Sequence, residues 1–565
     1  MEEDGDLEPR RKRRRERGEG GLPPVTVVEV TGTDADGDLL ARPLTWDGEG
    51  EPPVIRVQAR PVDRGLGPGD RVLARIDATP GEDVPYAARP IKRLASAPAR
   101  VLGIFRKDGA GGRILPLAKG GDREWIVPLG MDGGARDGEL VEAEAAERRS
   151  GRMGLPRARI VERLGDPTAP RAVSLIAIHE HGIPDAFPEA ALAEAEGAAP
   201  AGMEGREDLR DLALLTIDPE DARDRDDAVL ATPDDDPGNE GGFVIWVAIA
   251  DVAFYVRPGS ELDAEARLRG NSTYFPDRVV PMLPERLSGD LCSLHEGVDR
   301  AVLAVRMRID AQGRKLEHRF ARGMMRSRAS LAYEAVQAAV DGCPDERTGR
   351  ALLEGVLRPL YGAYAALRRA RAEREPLDLD LPERRIVLDE AGKVVSVAFR
   401  ERLDAHRLIE EFMILANVAA AEELVRRRRP LLFRVHEEPD PLKLESLREV
   451  AEASGLTLAK GQVLRTAHLN RLLAQAAGTD QAELIHMATL RSMPAAYYAP
   501  ENFGHFGLSL RNYAHFTSPI RRYSDLIVHR ALIAAHGWGS DGLSAQDIEM
   551  LEETAKLISD AERRS

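Results

Sequence analysis

The stretch Thr216–Val229, which reads TIDPEDARDRDDAV, constrains this chain most, because it holds five aspartates and one glutamate in fourteen residues. Carboxylates this close repel, and a like-charged pair about 4 Å apart costs about 4 kcal/mol at an effective dielectric constant near 20. Apolar runs at Leu212–Ile217 and Phe243–Val252 predict buried strands on either side of this acidic loop. Because unpaired charge near a core is costly, we expect a cation among these carboxylates.

The acidic loop offers only oxygen ligands. A ligand set without His or Cys suits Mg²⁺ or Mn²⁺ rather than Zn²⁺. Two other interpretations fit the same residues, namely a solvated acidic loop and a structural calcium-binding loop. The two flanking apolar strands favour the metal site over a solvated loop.

Length and composition limit the classes of protein that this chain can be. A chain of 565 residues with 43% hydrophobic and 31% charged residues predicts several globular domains. Its net charge of −16 argues against binding polyanions over the whole surface, although a local basic channel stays compatible with it. Two cysteines cannot build a disulfide framework, so we expect a cytoplasmic protein. No apolar run reaches the ~18 residues of a membrane span, and the charged start from Glu2 lacks the pattern of a secretory signal.

The first third of the chain predicts a disordered basic tail and two small barrels. Residues 1–22 include RRKRRRER, which either contacts nucleic acid or serves as a solubilising end. Short β-branched runs separated by turn signals continue over 23–95 and again over 96–165. We interpret these segments as tandem all-β barrels of the OB or cold-shock type, which bind single strands by stacking. Candidate contact residues in the second barrel are Phe105, Arg106, Lys107 and Trp125, although Trp125 fits a barrel core equally well.

The remainder predicts a helical linker over 166–206 and one large α+β domain over 207–565. Predicted strands at 212–217, 243–252 and 301–309 precede predicted helices at 330–339, 352–371, 406–428 and 547–564. The last of these helices has no closing signal, so we expect the natural terminus to lie elsewhere.

Five ordered motifs resemble those of the ribonuclease II / ribonuclease R family of exoribonucleases. They are TIDPEDARDRDDAV, NSTYFPDRVVPMLPERLSGDLCSL (271–294), HRLIEEFMILAN (406–417), FGHFGLSL (503–510) and YAHFTSPIRRYSDLIVHR (513–530). The resemblance implies two cold-shock barrels followed by a ribonuclease II-type catalytic domain, and ARDRDDAV and the basic tail are closer to ribonuclease R. That relative usually has a helical segment before the barrels and an S1 barrel at its end, and neither is seen in this sequence.

The resemblance also implies a reaction and its residues. The family hydrolyses RNA processively from the 3′ end to nucleoside 5′-monophosphates in RNA turnover and quality control. Asp218, Asp224, Asp226 and Asp227 match its metal-binding carboxylates, and loss of Asp226 is expected to stop cleavage while sparing RNA binding. Two Mg²⁺ or Mn²⁺ ions would activate water and neutralise charge on both oxygens of the displacement. Arg521 matches the catalytic arginine, which would grip the scissile phosphate, although a lone arginine is more often a structural ion-pair partner.

Other matched residues imply how the RNA end is held. Tyr274 matches an aromatic residue that stacks on the terminal base, a contact worth ~1–3 kcal/mol, and its polar surroundings argue against a core tyrosine. The family's opposing phenylalanine has no counterpart in PLDLDLPE (376–383). Tyr333 and either Glu410 or Glu411 match residues near the ribose, where a carboxylate would recognise the 2′-hydroxyl.

Three functions therefore stand beside one another. The first is a monomeric Mg²⁺-dependent 3′-to-5′ exoribonuclease that acts on single-stranded RNA. The second is a catalytically inactive RNA-binding protein with the same fold. The third is a phosphatase for small phosphoesters, which the tandem barrels and Tyr274 disfavour.

Overall fold

The computed structural model forms two compact units, Met1–Ile176 and Ala177–Ser565. It describes residues 22, 25–33, 39–43, 52–57, 71–79, 84–93, 100–109, 111–117, 124–145, 155–379, 384–389, 394–399, 401–460 and 464–565. The predicted basic tail, apart from Leu22, and residues 380–383 of the segment PLDLDLPE lie outside these ranges.

The first unit begins with a closed five-stranded barrel. Its strands β1–β5 are Val25–Thr33, Leu39–Pro43, Ile55–Val57, Arg71–Ala78 and Tyr86–Arg93. The strand order β1-β2-β3-β5-β4 includes one parallel pair, β3 with β5, and closes through the pairing of β1 with β4. Alternating apolar residues such as Val28 and Val30 point into the barrel and are buried. This order is that of an OB barrel and confirms the predicted fold class.

A second five-stranded sheet repeats this order. Its strands β6–β10 are Arg100–Asp108, Gly111–Pro116, Trp125–Pro128, Leu140–Ala145 and Ala158–Gly165. The order is β10-β9-β6-β7-β8, and a parallel bridge from Ile126 to Arg157 joins its two edges. Phe105 is fully buried in the core of this sheet, so the prediction that it contacts nucleic acid is wrong. Arg106 is exposed but is paired with Asp137 at 3.2 Å, whereas Trp125 is half-buried against the core.

The second unit is built on a five-stranded sheet and several strand pairs. Its strands β11–β19 are Glu207–Asp208, Thr216–Asp218, Asp227–Pro233, Phe243–Ala250, Thr273–Tyr274, Val279–Val280, Asp299–Ile309, Lys315–Arg326 and Ser330–Ala332. Strands β20–β23 are Arg384–Leu388, Val394–Phe399, Phe433–Val435 and Tyr497–Ala499. The main sheet has the order β11-β18-β17-β14-β13, and β12 pairs in parallel with β19.

The described residues also form α-helices, some of which pack on this sheet. Helices α1–α7 are Pro170–Glu180, Glu189–Glu196, Glu261–Arg269, Tyr333–Val340, Arg350–Leu352, Arg358–Arg374 and Asp404–Arg426. Helices α8–α13 are Pro441–Ala453, Thr466–Ala476, Ala482–Ser492, Tyr523–His536, Ala545–Glu549 and Leu551–Arg564. Short π-helical turns occupy Arg286–Leu291 and Leu353–Leu357. Among the described residues, no helix has the length and apolar character that crossing a membrane requires.

Strand β14, which lies between β17 and β13, reads FVIWVAIA and is buried along almost its whole length, because α6 and α7 pack over the sheet. Helix α7 presents Leu408, Phe412 and Ala416 to this core, and each fully buried Leu or Phe contributes roughly 1.5–3 kcal/mol. Gly270 ends α3 at φ 73°, and a Cβ atom there would lie 2.7 Å from the Cβ of Ala561 in α13. Glycine is therefore required where α13 approaches the end of α3.

Several predicted boundaries were wrong by a few residues. Residues 212–215 are buried or half-buried but lie outside β12, whose strand conformation is limited to Thr216–Asp218. The predicted helix at 330–339 begins as strand β19, and the predicted terminal helix is divided between α12 and α13. The domain limits at residues 95, 165 and 206 stay predictions, while the division between the two units falls inside α1.

Candidate functional site

The acidic loop joins β12, which ends at Asp218, to β13, which begins at Asp227. Both strands belong to the core, and this attachment brings the loop carboxylates to the end of the main sheet. Asp226 is only 6% exposed, and its carbonyl accepts a hydrogen bond from the Ala250 N–H at the end of β14. The prediction that charged groups sit beside buried strands is therefore confirmed by the backbone.

Burial perturbs the acidities of these carboxyl groups. It raises the pKa of Asp226 to about 7, against the effects of the nearby Arg521 cation and the Ile520 N–H. It raises the pKa of Asp218 to about 6, against the effect of Arg225. Burial also raises the pKa of Asp224, and it raises that of Asp227 well above its usual range, together with repulsion from Asp218 and Asp226. Repulsion from neighbouring loop carboxylates adds to the rise at Asp218, Asp226 and Asp227, so ionising all four groups without a cation is costly.

The chemistry of this patch fits a hard divalent cation. Its ligands are carboxylate oxygens, and the buried Oδ2 of Asp218 has no hydrogen-bond partner, although the guanidinium of Arg225 lies 3.6 Å away. Within the described ranges, no three His, Cys, Asp or Glu side chains converge into a ready-made metal site. The acidic loop thus supplies suitable donors but not a closed cage of ligands.

Arg521 lies directly beside the acidic loop. Its Nε is 3.8 Å from Oδ2 of Asp226, and the other oxygen of Asp226 accepts the N–H of Ile520 at 2.9 Å. The Arg521 side chain is 49% exposed and is steadied by a 3.0 Å hydrogen bond from Nη2 to the Ser518 hydroxyl. The backbone turn that carries Arg521 is therefore held in place, while its guanidinium group is partly exposed.

The turn that presents Arg521 is held from behind. Asp525 accepts the N–H of Ser518 at 2.7 Å and two hydrogen bonds from Arg522 at 2.9 Å. Asn417 of α7 accepts the N–H of Phe516 at 2.8 Å. Arg522 is therefore the structural member of this pair of arginines, because its guanidinium group is bound to Asp525.

Tyr274 is brought to the same place by backbone pairing. The Ser272 N–H donates to the Arg521 carbonyl at 3.0 Å, and the Tyr523 N–H donates to the Gly270 carbonyl at 2.9 Å. The Tyr274 side chain is 55% exposed. Partial burial raises the pKa of its hydroxyl to about 12, and the Asp224 carboxylate contributes to this rise. An open aromatic ring therefore stands beside the arginine and the acidic loop.

A cavity of about 1290 Å³ opens beside the acidic loop. Its walls include Pro219–Asp221 of that loop, Tyr274, Tyr333, His406 and Phe399. Tyr333 begins α4 and stacks on His406 of α7, with ring centroids 4.0 Å apart and planes 15° from parallel. The structure therefore places Tyr274 and Tyr333 around one cavity.

The two candidate glutamates of α7 have different environments. Glu411 is buried, pairs with Arg371 at 2.6 Å and lies 4.0 Å from Arg374 of α6. It lines a separate cavity of about 610 Å³. Glu410 forms an ion pair with Arg402 and lies one helical turn after His406, on the same face of α7. This geometry favours Glu410 over Glu411 as the carboxylate on the side of the Tyr274 cavity.

Sequence reasoning missed residues that the structure brings to this site. Phe399, at the end of β21, is 67% exposed, and His406 forms the stack with Tyr333. In the segment 376–383, Leu377 and Leu379 pack against the α8–α10 cluster instead. Phe399 could have been noticed in the sequence as the aromatic residue that ends the apolar run VVSVAF, which lies after PLDLDLPE.

These features define a class of proteins in which tandem OB barrels accompany an α+β domain with an acidic loop, an adjacent arginine and an open tyrosine. The RNB domain matches residues 206–537, and the cold shock domain matches residues 115–188. The first match covers more than half of the chain, so this protein belongs to the RNB-domain family.

Two bacterial proteins are similar to this chain in sequence. Ribonuclease R of Vibrio parahaemolyticus is 40% identical over 448 residues, which is 79% of this chain and 53% of that protein. Ribonuclease R of Escherichia coli is 38% identical over 490 residues, or 85% of this chain and 60% of that protein. This chain therefore spans somewhat more than half the length of these curated relatives.

Solved structures share this architecture. Ribonuclease R of Mycoplasma genitalium, bound to ribose-methylated single-stranded RNA, superposes with a TM-score of 0.72 at 25% identity, over 96% of this chain and 84% of that one. A yeast pseudonuclease superposes with a TM-score of 0.60 at 17% identity, over 96% of this chain and 72% of that one. The second likeness concerns the fold alone.

Proposed function

We propose that this protein is a processive 3′-to-5′ exoribonuclease that hydrolyses single-stranded RNA to nucleoside 5′-monophosphates with divalent metal ions. The observation that carries this proposal is the placement of Arg521 3.8 Å from Asp226 and beside an open Tyr274, which lines a large cavity. The names of the ribonuclease R relatives support the same activity.

Different residues have different roles in the proposed hydrolysis. Asp218, Asp224, Asp226 and Asp227 would hold Mg²⁺ or Mn²⁺, which supplies an activated water and neutralises charge during phosphodiester hydrolysis. Arg521 would contact the scissile phosphate through its free guanidinium nitrogens and stabilise the charge that grows there. Ile520, through its N–H bond to Asp226, fixes the arginine turn relative to the acidic loop.

The aromatic groups would position the RNA end. Tyr274 offers a ring to the terminal base, and any base can stack on it, so the contact is independent of sequence. Phe399 on the opposite hairpin gives the cavity another exposed ring. Tyr333 and Glu410 would lie near the ribose, where a carboxylate that accepts from the 2′-hydroxyl distinguishes RNA from DNA.

The competing function is RNA binding without catalysis, because the yeast pseudonuclease has the same fold. This chain retains the four loop aspartates and Arg521, and an inactive protein needs neither a buried carboxylate patch nor an adjacent arginine. We therefore favour the enzyme, acting in RNA turnover and quality control. We also propose that it acts as a monomer in the cytoplasm, where its two cysteines stay reduced.

The decisive test uses single-stranded RNA labelled at its 5′ end. Incubation with Mg²⁺ is expected to release mononucleotides and to convert full-length labelled RNA into a short labelled end product with few intermediates, and chelation of the metal is expected to stop both. Single-stranded DNA of the same sequence is the control and is expected to persist. A folded protein that binds the RNA and leaves it intact would be the pseudonuclease instead.

A further inference from the structure

The acidic loop is held by a segment that the proposed mechanism leaves unused. This segment follows the π-helical turn Arg286–Leu291 and contains Ser293, which is fully buried. The Ser293 hydroxyl accepts the N–H of Arg225 at 3.1 Å and donates to the carbonyl of Arg223 at 3.2 Å. A single hydroxyl thus bonds the residues immediately before and after Asp224.

Neighbouring bonds make this attachment rigid. The Leu294 N–H donates to the Arg225 carbonyl at 3.0 Å, which adds a backbone bond beside the hydroxyl. Arg300, itself 9% exposed, donates from Nε to the Ser293 carbonyl at 3.0 Å and from Nη2 to the Asp290 carbonyl at 3.1 Å. The serine is therefore fixed to the core on one side and to the acidic loop on the other.

The acidic loop needs such an anchor. No helix or strand includes residues 219–226, and the carboxylates that it carries repel one another. Metal affinity depends on ligands held at fixed separations before the ion arrives, and groups that orient the ligands commonly change affinity by 10–100-fold. A hydroxyl that bonds both neighbours of Asp224 controls where the Asp224 side chain starts and which way it points.

We propose that Ser293 is a positioning residue for the metal site, which sets the backbone of Asp224 so that the loop carboxylates bind divalent cations together. This inference rests on the metal-binding role in the proposed function. Because Ser293 is fully buried and bonds the backbone on both sides of Asp224, its loss is expected to weaken metal binding and to leave the exposed RNA-binding residues in place.

The test is titration of Mn²⁺ into the 565-residue protein, with free Mn²⁺ measured by electron paramagnetic resonance. Ser293→Ala is expected to raise the half-saturating Mn²⁺ concentration by about tenfold or more. The affinity for single-stranded RNA in chelator is expected to stay within about threefold of the parent. Excess Mn²⁺ is expected to restore occupancy, because the carboxylates themselves remain.

Ser288→Ala is the matched control. Ser288 lies in the π-helical turn just before Ser293, is 6% exposed, and donates its hydroxyl to the Pro284 carbonyl rather than to the acidic loop. It is expected to leave Mn²⁺ affinity within about twofold. Ser293→Cys keeps the size of the side chain with a weaker hydrogen-bonding group, so an intermediate affinity is expected, and this variant serves if the alanine variant is poorly folded.

The possible outcomes separate this inference from the proposed function. Equal Mn²⁺ affinity in the parent and Ser293→Ala, or equal losses in Ser293→Ala and Ser288→Ala, would overturn the positioning role. A parent that binds no Mn²⁺ would overturn it as well. A parent that binds Mn²⁺ but releases no mononucleotides would refute only the exoribonuclease, and the shift in Ser293→Ala would still establish the positioning role.

Discussion

At the scale of single residues, Asp226 combines a structural and a chemical role. One oxygen accepts the Ile520 N–H and the other faces Arg521, while the side chain is almost entirely buried. An asparagine side chain has nearly the same shape and keeps an oxygen that accepts the N–H of Ile520. It has no negative charge for a metal ion. The same position can therefore lose catalysis while its contribution to folding is retained.

We predict that Asp226→Asn lowers mononucleotide release by more than about a hundredfold. The affinity for RNA is expected to change by less than about threefold, and the unfolding temperature without added metal is expected to stay equal or rise. The rise follows because burial raises the pKa of Asp226 to about 7, so the charged carboxylate is costly to bury at higher pH. Turnover of labelled RNA, filter binding and thermal unfolding measure the three effects. Turnover close to that of the parent would remove Asp226 from the mechanism.

The adjacent arginines predict different phenotypes. Arg521→Lys keeps the positive charge but loses the forked donor geometry, so we expect turnover to fall by about 10²–10³-fold with little change in stability. Arg522→Lys disrupts the double hydrogen bond to Asp525 and is expected to lower stability first. Single-turnover cleavage and urea unfolding of both variants distinguish these effects. Loss of stability in Arg521→Lys comparable to that in Arg522→Lys would identify Arg521 as a structural residue.

At the scale of elements, the hairpin β20–β21 is the part of the site that sequence reasoning did not reach. All six side chains of β21 are exposed, including Val395 at 64% and Phe399 at 67%. Phe399 lines the same cavity as Tyr274. Two exposed rings on one cavity are suited to stack on the same RNA end.

We predict that Phe399→Ala and Tyr274→Ala each weaken binding of a short single-stranded RNA by about 1–3 kcal/mol. If both rings contact one base, the double variant loses less than the sum of the two single losses, because either loss frees the base. Val395→Ala, on the same strand, is the control and is expected to bind normally. Fluorescence anisotropy with a labelled RNA measures all four proteins. Strict additivity would place the rings on separate nucleotides, and no effect of Phe399→Ala would exclude the hairpin from binding.

The elements that the sequence predicted well are those with strong local patterns. The apolar run of β14 and the amphipathic pattern of α7 have lengths and periods that few alternatives share. The barrel strands followed from regularly spaced turn signals. The boundaries of β12 and α4 were missed because tertiary pairing with β19 decides them, and a local pattern does not encode that pairing. Phe105 was misassigned because alternation along a strand does not tell which face is inside.

The candidate site was predictable in its residue types but not in its arrangement. Asp226 of the acidic loop accepts a hydrogen bond from Ile520 of the TSPIRRY turn, which is 294 residues further along the chain. Only folding brings these two segments together. The sequence likewise did not distinguish Glu410 from Glu411. Their ion pairs do, because Glu411 pairs with Arg371 of α6 and Glu410 pairs with Arg402. Ser293 lies within the motif 271–294 but could not be given a role from the sequence, since a buried serine is recognised only when its hydrogen-bond partners are known.

At the scale of the whole molecule, the free energy of unfolding of the second unit is expected to depend on pH through its buried histidines. Burial lowers the pKa of several of its histidines, namely His318, His436, His505, His515, His529 and His536. A histidine that stays neutral in the folded protein takes up a proton on unfolding below its usual pKa near 6.5. Such a histidine therefore does not lower the free energy of unfolding above pH 6.5. It lowers that free energy progressively as the pH falls from 6.5 toward the folded-state pKa. The raised pKa values of the loop aspartates act in the opposite direction, so the net slope alone does not isolate the histidines.

A single substitution isolates one of them. Burial and the charges of His436 and Arg434 lower the pKa of His505 to about 3, and its Nδ1 accepts the Leu508 N–H at 3.1 Å. Between pH 7.5 and 5.5 we expect His505 to remove about 1.4 kcal/mol from the free energy of unfolding. Glutamine does not titrate. The free energy of unfolding of His505→Gln is therefore expected to fall by about 1.4 kcal/mol less than that of the parent between pH 7.5 and 5.5. Urea unfolding at both pH values measures the difference, and His181→Gln, at an exposed position, is the control. Equal pH slopes in His505→Gln and the parent would mean that His505 takes up its proton in the folded protein too, because the His505 loop opens to solvent before the rest of the unit unfolds.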